Sequence, residues 1–217
     1  MRQQNEELWE FARTERAALA DDLAGLSEEQ WRHPTLCGQW DVEDVVAHLT
    51  AAASIGQWAW IRSMVAARFR PDVHNQRRLE EQRGATPGET LERFRAVIGS
   101  TTAPSGHTPA YLGEVLVHAQ DIRTPLGLDH SPGVEALTPV AEFFTANDFT
   151  VSSRKAAAGL ELRAEDGPFA AGSGPAVTGP TLALVMAMAG RAAYLEELDG
   201  PGVPTLRSRI TGTSAAG

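Results

Sequence analysis

The chain has 217 residues, 42% of them apolar, which is enough for one domain with a full core or for two small ones. A formal net charge of −9 argues against nucleic acid and against anionic membrane surfaces, both of which would repel it. No run approaches the ~20 apolar residues that a bilayer span requires, the opening MRQQNEELWEFARTER is polar rather than signal-like, and one cysteine allows no internal disulfide, so a cytoplasmic protein is expected.

In chain order, apolar spacing predicts a first helix over about residues 4–26, with Leu8, Phe11, Ala18, Leu19, Leu23 and Leu26 on its buried side. Ser27 and Gln30 have capping-box spacing for a short turn, which His33-Pro34 breaks. Cys37 is open to two readings, a nucleophile or a packed small hydrophobe. Asp41 reads as the N-cap of a second helix from Val42 into residues 62–70, with Val45, Leu49 and Ala52 inside and His48 on the border of that face. Taken alone, His48 reads as a hydrogen-bonded core histidine. Trp58 and Trp60 read as core or pocket wall rather than a base-stacking platform. Residues 71–85, PDVHNQRRLEEQRGA, read as a charged connection over a pocket mouth, His74 solvated and Arg77 and Arg78 set to meet an acidic substrate. Thr86, Pro87 and Glu89 start a third helix that runs to about Ile98. His107, in the loop after it, is a reserve ligand.

A fourth helix over residues 109–127 organises the rest. Thr108 and Pro109 start it, Pro125 and Gly127 end it, and Leu112, Val115, Leu116, Ala119 and Ile122 form its core stripe. Beside that stripe Glu114, His118 and Asp121 stand at i, i+4 and i+7, where ionisable groups are costly unless paired or bound to metal. An antiparallel pairing with the second helix would bring His48 opposite Glu114 and His118, inside a bundle, where metal sites are built from facing helices. Asp121 is spaced to orient His118, to pair with Arg123 or to face solvent.

Beyond Gly127 residues 128–137 read as a linker, with His130 a surface residue without a partner, and residues 138–147 as a helix docked by Phe143 and Phe144. Then the period changes to two: Leu160, Leu162 and Ala164 alternate with charged residues, Asp166-Gly167 signals a hairpin, and further strands run up to Ala176–Thr178. Gly172-Ser173-Gly174 lacks the Lys-Ser/Thr ending of a phosphate loop and enters a strand. Residues 180–198 are helical, interrupted at Gly190-Arg191. Arg191 has no acidic residue within three positions, so it holds carbonyls or clamps a ligand carboxylate.

Three of these segments together resemble the mycothiol-dependent maleylpyruvate isomerase family, a branch of the DinB-like metalloproteins. They are TLCGQWDVEDVVAHL at 35–49, EVLVHAQDIRTPLG at 114–127, and the region from GLELRAEDGPFAAGSGPAVTGP to AGRAAYLEELDGPG. The resemblance implies a mainly α protein: a DinB-like four-helix bundle at residues 1–130 and a small C-terminal α/β domain at 131–217. Carried over by position, it places metal ligands at His48, Glu114 and His118, and a catalytic, cofactor-binding arginine at Arg191. It departs from the family at Cys37-Gly38-Gln39-Trp40, where relatives put a small turn residue directly before the tryptophan. A composition of 18 Arg against a single Lys, rich in Ala and Gly, looks like a high-GC genome and suits the actinobacteria that make mycothiol.

Two imidazoles and a carboxylate suit Zn²⁺ with an open fourth position, although Ni²⁺, Co²⁺ and Fe²⁺ accept the same ligands. Metal coordination deprotonates a thiol whose free pKa is about 8.5. The expected activity is therefore an isomerase or thiol S-transferase acting with mycothiol on a small electrophile, a dicarboxylate among the candidates. A non-catalytic metal-binding protein and a metal-dependent hydrolase stand as alternatives, and monomer and homodimer are both open.

Overall fold

The computed structural model describes residues 2–38, 40–56, 71–103, 106–149 and 151–213. They are mainly helical, with one small sheet late in the chain, as the sequence leads one to expect. No helix among the described residues is long and apolar enough to cross a membrane. The chain divides into two compact units, Met1–His130 and Ser131–Gly217.

The first unit is built from α1 (Arg2–Ala24), the short α2 (Glu28–Trp31), α3 (Val42–Ser54), α4 (Pro71–Gln82), α5 (Pro87–Ala96) and α6 (Thr108–Leu126). Helix α1 packs along α6, α3 packs on α5 and α6, and α5 closes against α1, which makes a four-helix arrangement with α4 laid on α3. Its core joins Leu19, Leu23, Trp31, Val42, Val45, Leu49, Leu91, Phe94 and Ile122. Each start has a chemical cause: Ser27 and Gln30 form the capping box of α2, Asp41 accepts the Asp44 N–H at α3, and Thr86 accepts the Glu89 N–H at α5. Arg16 lies wholly buried in α1. Its Nη1 and Nη2 donate to the carbonyls of Val97 (2.5 Å) and Ser100 (2.7 Å), just beyond the end of α5.

Several expectations change. Residues 71–82 are helical rather than a connecting loop; the charges at 76–82 that suggested a loop are the solvent face of a helix whose Leu79 is buried. The second helix ends at Ser54 with Ile55 in extended backbone, and its proposed extension, with Trp58 and Trp60, falls outside the described residues. Thr108 is the first residue of α6 rather than its cap, which is His107. Pro125 is inside α6, and the helix ends at Gly127, whose φ of +64° suits glycine. On α1, Phe11 is only half-buried while Glu15 and Arg16 are buried, because these polar side chains find partners inside the bundle.

The second unit contains α7 (Val134–Ala146), α8 (Ser153–Ala157), strands β1 (Glu161–Ala164), β2 (Ala170–Gly172) and β3 (Ala176–Gly179), α9 (Thr181–Met188), a 3₁₀ turn (Ala192–Glu197) and α10 (Val203–Thr213). Helix α7 begins four residues earlier than the spacing predicts, inside the expected linker. Strand β1 is central, antiparallel to β2 (Leu162 opposite Ala171) and parallel to β3 (Leu162 opposite Val177). Its burial alternates, Leu162 and Ala164 inward. The glycines at 172 and 174 serve the crossing between β2 and β3: a Cβ on Gly174 would lie 2.2 Å from the Gly159 carbonyl oxygen. Asp166, in the hairpin, accepts the Thr181 N–H (2.9 Å) and so starts the apolar α9.

Candidate metal centre

Helix α6 is enclosed by its neighbours along most of its length. Ala110, Gly113 and Ala119 let them approach, and Leu112, Val115, Leu116 and Ile122 fill the core. Glu114 is half-buried, while His118 and Asp121 are buried. On α3 the inward set by Val45 and Leu49 leaves His48 at the margin of the buried face, directed at α6.

Glu114 sits between two imidazoles. Its Oε1 is 2.6 Å from His48 Nε2 and 3.5 Å from His118 Nε2, and the two rings meet edge to face with centroids 5.0 Å apart. On the far side of His118, Nδ1 is 2.9 Å from Asp121 Oδ2. The donor atoms of His48, Glu114 and His118 all lie within 4.8 Å of one another.

Metal fit can be judged from spacing. Two ligand atoms each ~2.1 Å from a tetrahedral ion are about 3.4 Å apart. The His118–Glu114 pair already has that spacing, and the 2.6 Å His48–Glu114 hydrogen bond would open by less than an ångström. The donors are two nitrogens and one oxygen, from helices packed against each other, so the residues present fit a divalent cation.

The charge balance points the same way. Burial works to raise the Glu114 carboxyl, yet hydrogen bonds from His118 and His48 overcome it and hold the group well below the usual carboxylate range. Burial likewise works to lower His118, but Asp121, the Cys37 thiol and Glu114 raise it well above an ordinary histidine. Without metal the cluster draws a proton to the position where its carboxylates call for positive charge.

Other residues singled out in the sequence fall elsewhere or change role. Cys37 packs against the bundle core and brings its thiol within hydrogen-bond reach of His118, forming with His118 and Asp121 a second group of potential ligands. Asp121 pairs with His118, and Arg123 instead turns to Asp22 and Glu15. His130 is no unpartnered surface group: its Nε2 is 2.9 Å from Glu15 Oε2 and its carbonyl accepts from Gln120 (3.0 Å). His107 belongs to neither ligand group found among the described residues. Arg191 lies in the second unit, half-buried after Gly190 at φ +90°, with its N–H on the Met186 carbonyl (2.9 Å) and Nη1 on that of Ala189 (2.6 Å).

Trp40 is the participant that sequence reasoning missed. Its ring centroid is 4.8 Å from that of His48 and 6.2 Å from that of His118, both at a tilt of 42°, so it packs obliquely against His48 with His118 beyond. Its place directly before the N-cap Asp41 was the available signal, since a residue there is held at the mouth of the helix that carries His48.

Residues 12–110 match the family model of the mycothiol maleylpyruvate isomerase N-terminal domain; the match includes His48 and stops short of Glu114 and His118. Two solved structures are similar in fold, one of a mycothiol-dependent maleylpyruvate isomerase and one of a histidine-to-alanine mutant of such an enzyme. They have TM-scores of 0.62 and 0.63 and identities of 18% and 17%, each likeness covering 91% of this chain and 92% of the other. No curated protein matches the sequence.

Proposed function

From the match of residues 12–110 to the mycothiol maleylpyruvate isomerase N-terminal domain, we propose that the chain is a thiol-dependent metalloenzyme of that family with mycothiol as its thiol. In this reading His48, Glu114 and His118 hold a divalent cation, Zn²⁺ in the first instance. The observation that carries it is the convergence of two imidazole nitrogens and one carboxylate within 4.8 Å, a donor set that leaves a coordination position open.

A divalent cation bound there supplies Lewis acidity that lowers the pKa of a thiol at the open position. The protein's own residues do the rest. Glu114 contributes one negative charge, so the loaded site stays net positive and favours one more anion. Asp121 keeps the Nδ1 proton of His118, which leaves Nε2 as the ligand atom. Trp40 packs obliquely against His48. Arg191, whose Nη1 holds the Ala189 carbonyl, is assigned a carboxylate of the substrate or of the thiol by the family resemblance alone. The substrate class is a small electrophile, a dicarboxylate among the candidates. Addition of the thiol across a substrate double bond, rotation about the resulting single bond and loss of the thiol would give isomerisation; release with the C–S bond kept would give S-transfer.

The test is the metal content of wild type, His48→Ala and Glu114→Ala, with calorimetric titration of mycothiol into each. One equivalent of metal in wild type, absent from both variants, and thiol binding that needs metal and releases protons are expected. A folded wild type that takes up no metal on reconstitution would overturn the reading. Metal without thiol affinity would leave a binding protein, and turnover without thiol a hydrolase.

A further inference from the structure

The segment between α2 and α3 is tied into a closed turn. Thr35 N–H and Oγ1 both reach the Trp40 carbonyl (3.2 and 2.8 Å), the Cys37 N–H donates to Thr35 Oγ1 (3.1 Å), and Gly38 takes the left-handed conformation, φ +62°, that lets the chain reverse. Outside the turn, the Val42 N–H bonds to the His33 carbonyl (3.2 Å) and Pro34 bridges Asp41, so it leads directly into α3.

A backbone bond fastens this turn to α6 beside the Cys37 thiol at His118: the Leu36 N–H donates to the Asp121 carbonyl at 3.1 Å. Asp121 therefore acts twice. Its carboxylate, fully buried, takes the Nδ1 side of His118, and its backbone holds the turn whose last residue, Trp40, lies against the His48 ring. Trp40 is itself partly packed on the bundle core, which limits its own rotation. An imidazole left to rotate about χ2 presents its nitrogen to a metal only part of the time, and a buried carboxylate or a stacked ring removes that freedom beforehand.

We propose that Thr35–Gly38, Trp40 and Asp121 form a positioning device that sets both ligand imidazoles before metal arrives, Asp121 acting on His118 and Trp40 on His48. It rests on the assignment of His48, Glu114 and His118 as metal ligands. Neither Asp121 nor Trp40 is a ligand in this scheme; both act through the rings they hold.

The experiment is Co²⁺ titration followed by the visible d–d spectrum, with far-UV circular dichroism as a check on folding. Asp121→Ala is expected to weaken Co²⁺ by about 10- to 100-fold and to alter the band shape. Asp121→Asn keeps an acceptor for the Nδ1 proton and should recover most of both. Trp40→Leu is expected to weaken binding and Trp40→Phe, which keeps a ring over His48, to restore it; this pair still reads the device if Asp121→Ala fails to fold. Wild-type affinity and band shape in Asp121→Ala and Trp40→Leu would overturn the proposal while leaving the ligand assignment intact. A wild type that binds no Co²⁺ would overturn both together.

Discussion

Helix α6 carries two buried charge clusters less than three turns apart, and they solve the same problem differently. Near its C-terminal end Arg123 is fully buried, with Nε 2.7 Å from Asp22 Oδ2 and Nη1 3.7 Å from Glu15 Oε2, and Glu15 also takes His130. Further back, Glu114 and Asp121 face two imidazoles and no arginine. In the first cluster the chain supplies a permanent cation, Arg123, between Glu15 and Asp22, with His130 on Glu15. In the second it supplies only groups that take or release a proton, so the positive charge is exchangeable, a proton in one state and a metal ion in another. Buried carboxylates without a fixed partner thus mark the cluster built to bind something.

The largest contrast is expected between Glu114→Ala and Arg123→Ala. The first should reduce bound metal from one equivalent to none while the helices remain, measured by elemental analysis and circular dichroism. The second should leave metal stoichiometry intact and lower unfolding stability by about 2–3 kcal/mol in denaturant titration, because it leaves Glu15 with His130 alone and takes the cation from the partly exposed Asp22. Loss of metal in Arg123→Ala at full stability would erase the distinction between the clusters.

A smaller effect separates them by pH. In the metal-free protein His118 binds its proton more tightly than an ordinary histidine of 6.5, so its contribution to stability is complete below about pH 6.5 and fades as pH rises through the raised value. Glu114, held well below 4.5, contributes fully above about pH 4.5 and fades as pH falls through its depressed value. Metal has to displace the His118 proton, so its affinity and the stabilisation it brings should grow with pH. Thermal unfolding with chelator and with Zn²⁺ should therefore diverge above pH 6.5; parallel profiles would mean that His118 does not exchange a proton for metal. The smallest effect is that of His130→Ala, about 1 kcal/mol for the lost bond to Glu15, with metal binding unchanged. A matching loss of metal affinity would show the clusters to be coupled through α6.

Much of this was readable along single elements. The caps at Ser27, Asp41 and Thr86, the inward stripe of α6 and the alternation of β1 depend on residues a few positions apart. Errors arose where a local rule lost to packing. Pro125 failed to end α6 because the Asp121 carbonyl that its missing N–H leaves without a helical donor is taken by the Leu36 N–H, and the charges of residues 76–82 belong to an amphipathic helix. The assumed isolation of His130 failed for another reason: its partner Glu15 is 115 residues away in sequence, beyond any periodicity.

The sequence by itself determined where α1, α3, α5 and α6 form, and that Glu114, His118 and Asp121 project from one side of α6, because 3.6 residues per turn is a property of the backbone. Only the tertiary structure decided that Glu114 bonds His48 across 66 positions, that Asp121 chooses His118 over Arg123, and that Trp40 packs against His48 with His118 beyond. Those are choices among partners of similar chemistry, made by which side chains the packed helices bring within 3 Å.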